Sequence, residues 1–359
     1  MFRMNVECPH ACPERSREVP PLLREVGVSR IKGKHRKVLD LTRSRKAKSD
    51  LRPLRTEQVL ASARNLECMS SLEIARLINR QDATVAPTVR RVLPQIARAI
   101  DVIAAGLRHG GRLIYVGAGT SGRLAALDAA ELPPTFGTSP HMVQAVIAGG
   151  RRALTQAVEG AEDNRAQGAK DMAARGLNSK DAVVGIAASG ATPYVLGALE
   201  FAKKKGAITI GITSNPRTPI TQAAQISIVT LTGPEVITGS TRMKAGTAQK
   251  LALNMISTAT MIRLGRVYDN WMIGVALTNR KLQARGLRIL MEASGAGVAE
   301  STRALRQSGH NLGVALIMLK TGASARQAKR LLRDTQGHVH NAINGTSRRT
   351  ASGSHKSHG

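Results

Sequence analysis

The stretch LIYVGAGTSGRLAALDAAELPPTFG, residues 113–137, decides how this chain is read. Leu113 to Val116 form a short apolar run that predicts a buried strand. Gly117, Gly119 and Gly122 follow, allowing a tight turn and a close backbone approach to a ligand. Thr120 and Ser121 then place two hydroxyls at the start of a helix, where free N–H groups and the positive dipole end suit a phosphate. The same helix carries Asp128 and Glu131 and is expected to stop at Pro133-Pro134, since proline disfavours helical geometry in the residue before it. One segment thus offers an anion cradle and, about one helix length away, a carboxylate.

GAGTSG also fits the dinucleotide fingerprint G-x-G-x-x-G. That fingerprint expects an acidic residue at the end of the following strand. The next predicted strand, 142–148, runs instead into Gly149-Gly-Arg-Arg152, so a nicotinamide cofactor is not expected.

Working outward, strand and helix alternate. Strands are predicted over 112–118, 142–148, 182–187, 207–212 and 226–231. Helices are predicted over 121–132, 152–175, 192–204, 216–224 and 241–264. This pattern predicts an α/β fold, a parallel sheet flanked by helices on both faces as a three-layer αβα arrangement. Like the first, the last three strands end in small polar residues: Ser189 to Thr192, Thr213-Ser-Asn-Pro216, and Thr232-Gly-Pro-Glu235. In such sheets the carboxyl ends of the strands form the ligand crevice. Several hydroxyl turns on one edge point to an anionic small molecule. Before the sheet, Leu72, Ile74, Leu77 and Ile78 make one helical face, and Val89 to Leu107 continue at close to a 3.6-residue period to Gly110-Gly111. After Trp271 the pattern is helical, with breaks at Gly295, Gly309-His-Asn311 and Gly322-Ala-Ser324.

Composition sets limits. The 359 residues carry a net charge of +29, with only 2% aromatics. Residues 1–55 hold 15 basic and 6 acidic side chains, and 345–359 add +3, so +17 remains in the body of the chain. A basic protein can neutralise nucleic-acid phosphates, but the scarcity of aromatics leaves few stacking platforms and argues against a nucleic-acid partner. The charge instead suits steering of an anionic substrate. No apolar run is long enough to span a membrane. Three cysteines, Cys8, Cys12 and Cys68, make no disulfide framework, and no leader segment opens the chain, which fits a reducing cytoplasm. Cys8-Pro-His10-Ala-Cys12 lacks a second ligand pair, and His338-Val-His340 reads as a surface pair, so no metal is expected. The sequence divides into a basic, disordered extension over 1–55, an anion-binding α/β domain with N-terminal helices over 56–285, a small helical domain over 286–343 and a basic tail over 344–359.

GAGTSGRLAALDAAELPPTFG, AVEGAEDN at 157–164, ASGATPYV at 188–195, GITSNP at 211–216 and GPEVITGSTRMKAGTAQKLALNM at 233–255 closely resemble the N-acetylmuramic acid 6-phosphate etherases, bacterial members of the sugar isomerase (SIS) superfamily. The resemblance runs from about Thr56 to about Ile343. It implies a lyase that removes D-lactate from N-acetylmuramate 6-phosphate in peptidoglycan recycling, with no cofactor, as a homodimer, and a ubiquitin-associated-like module near the carboxyl end. The chemistry needs a base near C2 and an acid near the ether oxygen. From the residues alone, Glu159 and Glu162, three apart on a predicted helix, are equal candidates. The resemblance places the catalytic pair on Glu131 and Glu162. It places phosphate on Thr120, Ser121, Ser189 and Thr192, and further substrate contacts on Glu235, Ser240, Thr241 and Lys244. The competing reading is a regulatory SIS protein that binds a sugar phosphate without catalysis; it would need the cradle but not the two glutamates. An aldose–ketose isomerase is a further rival whose pocket needs no room for a lactyl group.

Overall fold

A computed structural model describes residues 54–345 except Ala276 and Thr278. The charge runs of the extension before Leu54, the Cys8–His10–Cys12 cluster and the tail beyond Gly345 lie outside the described residues.

Five parallel strands form one sheet: β1 (Leu113–Gly117), β2 (Val143–Ile147), β3 (Ala182–Ile186), β4 (Ile208–Thr213) and β5 (Ile226–Val229), in the order β2-β1-β3-β4-β5. Leu113 lies level with Val143 on one side and with Ala182 on the other. Side chains alternate between faces, as the two-residue strand period requires. Leu113, Tyr115, Val184, Ile186, Ile210 and Ile212 face one layer. Ile114, Val116, Val146 and Val183 face the other. The first layer holds α3 (Leu93–Arg108), α4 (Gly119–Phe136) and α8 (Lys244–Arg263). The second holds α5 (Arg165–Ala173), α6 (Pro193–Lys204) and α7 (Pro219–Ala223). The three-layer αβα arrangement is the one expected.

Ahead of the sheet stand α1 (Ser71–Asp82) and α2 (Val85–Arg90). Ser70 and Glu73 make a reciprocal capping box at the start of α1. After it, α9 (Arg280–Ser294), α10 (Val298–Gln307), α11 (Leu312–Thr321) and α12 (Ala325–Asp334) pack around Ile289, Leu290, Leu316 and Ile317. The helical breaks fall where the sequence placed them. The expected domain boundary after residue 285 falls inside α9, and Ile273 and Val275 already belong to this second core.

Three local expectations are corrected. First, α4 runs through Pro133 and Pro134 to Phe136. The fixed proline φ is itself helical, so the chain continues the helix at the cost of two intrahelical N–H donors, and Gly137, at φ 60°, closes the end by donating its N–H to the Pro133 carbonyl at 2.9 Å. Second, the helix expected over 152–175 is broken into 3₁₀ turns at Gly150–Leu154 and Ala161–Asp163, then α5. Gly160 takes a left-handed φ of 69°, and Asn164 caps α5 by accepting the Gln167 N–H. Third, α8 starts at Lys244, and the helix expected over 88–107 is interrupted between Arg90 and Leu93.

Candidate functional site

The strand order reverses between β1 and β3, and in open parallel sheets ligands bind outside the carboxyl ends of the strands at such a reversal. Two hydroxyl turns meet there. The β1–α4 turn brings Thr120, half-buried, and Ser121, buried. Ser121 Oγ donates to Gln249 Oε1 of α8 at 2.9 Å, so this hydroxyl ties the turn to α8. The β3–α6 turn brings Ser189, whose Oγ accepts the Ala191 N–H at 3.2 Å, and Thr192 at the α6 N-cap position. The Thr192 side chain makes no capping bond to its own helix.

The second turn is locked by the loop after β4. The Ala188 carbonyl accepts Ser214 N–H at 3.0 Å, Thr213 Oγ at 3.1 Å and Asn215 Nδ2 at 2.9 Å. Ile220 N–H reaches the Gly190 carbonyl at 3.0 Å. Gly190 has a φ of 75°, and a Cβ there would strike the Thr218 side chain. Asn215 Nδ2 also donates to Thr56 Oγ1 at 3.1 Å, which anchors the segment after Leu54 over this edge of the sheet. Thr56 is fully buried. A cleft of about 450 Å³ results, walled by Leu54, Arg55 and Gln58 on one side and by Ser189, Asn215 and Thr218 on the other.

The segment before α8 completes the edge. Ser240 and Thr241 lie half-buried in turns ahead of the helix, so neither caps it. The Thr241 carbonyl accepts the Gly246 N–H at 3.0 Å, and a Cβ at Gly246 would stand 3.4 Å from the Thr120 methyl. Thr120, Thr241 and Gly246 are therefore neighbours. Glu235 is fully buried. Its carboxylate accepts the N–H groups of Lys244 at 3.0 Å and Ala245 at 2.9 Å, capping α8 at its positive end. Lys244 is buried rather than a surface cation, and its Nζ donates to Gln81 Oε1 of α1 at 2.8 Å. Burial holds its ammonium below the usual lysine range, against the opposing pull of Glu235 and Asp82.

Of the two candidate catalytic carboxylates, Glu131 stands apart from this cluster along its helix. Glu131 is exposed on α4, ten residues beyond Ser121, which is about 15 Å along the axis at 1.5 Å per residue. Its neighbour one turn back is different: Asp128 accepts from Tyr115 Oη and from Ser257 Oγ, each at 3.0 Å. Burial raises the Asp128 carboxyl above its ordinary range in spite of those two bonds. Glu162 lies exposed in the 3₁₀ turn that packs Ala161 against the second layer. Glu159 lies before Gly160 and off that turn, so the two glutamates do not share a helix face as expected.

Sequence reasoning singled out the polar end of β4 but not the roles of Asn215 and Thr218, and it missed Gln249 and Gln81 altogether. Gln249 meets Ser121 across 128 positions, and Gln81 meets Lys244 across 163, so no local spacing signals either. Of the histidine pair, His340 Nε2 lies 2.8 Å from Asn344 Nδ2 and its ring leans on Tyr268. Among the described residues, no helix is long and apolar enough to cross a membrane.

The SIS domain family matches residues 161–259, and the glucokinase regulatory protein N-terminal SIS domain family matches residues 95–203. An N-acetylmuramic acid 6-phosphate etherase of Aliivibrio fischeri is 49% identical over 296 residues, covering 82% of this chain and 99% of that protein. N-acetylmuramic acid 6-phosphate etherase 2 of Vibrio cholerae is 52% identical over 279 residues, covering 78% and 91%. Among solved structures, a phosphoheptose isomerase from Francisella tularensis is similar at a TM-score of 0.42 and 20% identity, over 54% of this chain and 98% of that one. With near-half identity to such relatives over almost all of their length, this chain belongs to the N-acetylmuramic acid 6-phosphate etherase family.

Proposed function

We propose that the chain cleaves the D-lactyl ether of N-acetylmuramate 6-phosphate in the cytoplasm, giving D-lactate and N-acetylglucosamine 6-phosphate. The observation that carries this reading is the pair of hydroxyl turns, Thr120-Ser121 and Ser189 to Thr192, meeting at the β1/β3 reversal. Both turns lead into helices whose free N–H groups suit a phosphate. Ser189 and Thr192 bind it directly, and Thr120 lines its far side. Ser121 and Lys244, held by Gln249 and Gln81, fix α8 against the site, and Glu235 fixes the entry to α8. Ser240 and Thr241 wall the sugar.

The ring-opened sugar carries an aldehyde at C1, which makes the C2 proton acidic. Glu162 takes that proton as the C3–O bond breaks, and Glu131 gives its proton to the departing lactyl oxygen. A C2=C3 double bond conjugated with the aldehyde remains. Glu131 then takes a proton from water as hydroxide adds at C3, and Glu162 returns its proton to C2. Every step uses side-chain acids and bases.

Glu131 lies too far along α4 to reach the phosphate turn of its own chain, so it serves the site of a second copy in a homodimer. Exposed apolar side chains around it support that arrangement: Leu127 is 54% exposed one turn before it, and Met255 and Ile262 are exposed on α8, which packs beside α4. The test is incubation with N-acetylmuramate 6-phosphate while free D-lactate is assayed. Lactate release is expected. Binding without release would leave the regulatory sugar-phosphate reading instead.

A further inference from the structure

We propose that Arg217 is a substrate-binding residue whose guanidinium pairs with the substrate's phosphate monoester in the cleft beside Ser189. The inference rests on the phosphate reading above. Neither hydroxyl turn carries a fixed positive charge, whereas a phosphate dianion is best matched by an arginine fork. Arg217 lines the cleft at the apex of the β4–α7 loop. Its φ is 54°, in the left-handed region that side-chain-bearing residues disfavour, and it is neither Gly nor Asn. Strain of this kind persists where the surroundings hold it, and it gathers at ligand sites. Here the surroundings are explicit. Asn215 on one side is bonded to Ala188 and Thr56, and Ile220 on the other is bonded to Gly190. Among the described residues, no ion pair engages Arg217.

A second observation points to a ligand in the same cleft. Asn215 Oδ1 and Thr218 Oγ1 are buried there with no hydrogen-bond partner, in residues only 1% and 3% exposed. Buried polar atoms are ordinarily paired, so two orphans on one wall mark capacity kept for a bound molecule. Thr218 can donate to a phosphate oxygen, and Asn215 Oδ1 can accept from a sugar hydroxyl.

The test uses Arg217→Gly and Arg217→Lys in the full chain. Glycine removes the guanidinium and suits the left-handed backbone, so the melting temperature should not fall. Binding of N-acetylglucosamine 6-phosphate, measured by calorimetry at low salt, should weaken about ten-fold or more in Arg217→Gly. The loss should be partial in Arg217→Lys and should shrink at high salt, where charge pairing is screened. Unphosphorylated N-acetylmuramate should bind both chains equally. Equal affinity of the wild type and Arg217→Gly for the phosphosugar would overturn the proposal, as would a wild type that does not bind it. A loss confined to N-acetylmuramate would put Arg217 on the lactyl carboxylate and also overturn it. A wild type that binds the phosphosugar through Arg217 yet releases no lactate would sink the etherase reading and leave this one standing.

Discussion

At the amino edge of the sheet, Asp181 has all of its hydrogen-bonding capacity in use, whereas at the carboxyl edge Asn215, Thr218 and Thr232 keep buried polar atoms without partners. Asp181 accepts from the Arg112 N–H at 2.8 Å, from its guanidinium at 2.7 and 3.2 Å, and from the Asn178 N–H at 3.0 Å. Two further Arg112 N–H groups donate to the carbonyls of Arg175 and Gly176. Both edges are polar and both are built from turns between strands and helices. The difference between the Asp181 cluster and the Asn215–Thr218 wall is saturation. A closed network holds β1 and β3 in register and has nothing left for a ligand, while open capacity on the opposite edge costs stability and can be recovered only by binding.

Glu131 offers the hardest break of this comparison, because it sits at neither turn. Glu131→Gln should lower the rate of lactate release by ~10²–10⁴-fold, as expected for loss of a positioned acid–base group, with substrate still bound. In a shared site, mixing Glu131→Gln chains with Ser189→Ala chains should restore part of the activity; no recovery would place Glu131 outside the partner's site. Glu162→Gln should stop solvent-deuterium exchange at C2, followed by NMR, and Glu159→Gln should not. The reverse pattern would move the base to Glu159.

Asp181→Asn tests the saturated edge. It leaves the Arg112 donors short of an acceptor and should cost about 2–3 kcal/mol in urea unfolding, with activity per folded molecule unchanged. Burial alone would raise the Asp181 carboxyl, but the bonds from Arg112 and Asn178 hold it below the usual aspartate range. The folded chain therefore binds that proton more weakly than the unfolded one. Its stabilisation is full above about pH 3.9 and is lost as pH falls through the lower folded value. The variant should show a shallower acid limb.

Ser189→Ala tests the open edge. It removes one hydrogen bond to a charged group, about 1.5–3 kcal/mol, and should raise KM with little change in kcat or melting temperature. Collapse of kcat at constant KM would move Ser189 into the chemistry. The smallest effect sharpens where the site begins. Deleting residues 1–53 should leave KM unchanged, whereas deleting 1–56 removes the Thr56 bond to Asn215, about 1 kcal/mol, and should weaken substrate binding by several-fold.

The sheet was legible because its strands are short apolar runs with turn chemistry at each end, and the parallel order follows from their alternation with helices. Both hydroxyl turns were legible for the same reason, since each directly follows a short apolar strand. Residues 152–175 misled because alanine-rich composition reads as helix, while Gly160 and the Asn164 cap divide the segment. Pro133-Pro134 misled in the other direction: the rule about the residue before proline is a preference, and the proline φ is itself helical, so α4 runs on to Phe136 in spite of two lost donors. Arg55 shows the limit of reading by composition. It closes a stretch whose charge reads as disorder, yet it lines the cleft because its neighbour Thr56 is pinned by a partner 159 positions away.

Gly190 carries a consequence for the chain's history. Its left-handed φ admits few residues, and the Thr218 side chain occupies the space where any Cβ would go, so two independent constraints reduce its alphabet to one letter. Gly119, in the corresponding turn after β1, has a similar φ of 51°, but no protein atom stands within 4 Å of where its Cβ would go, so the fold constrains it once rather than twice. Of two turns that look alike on paper, one is fixed by its backbone alone and the other by backbone and neighbour together, and a saturation library scored for folding would separate them in a single round of selection.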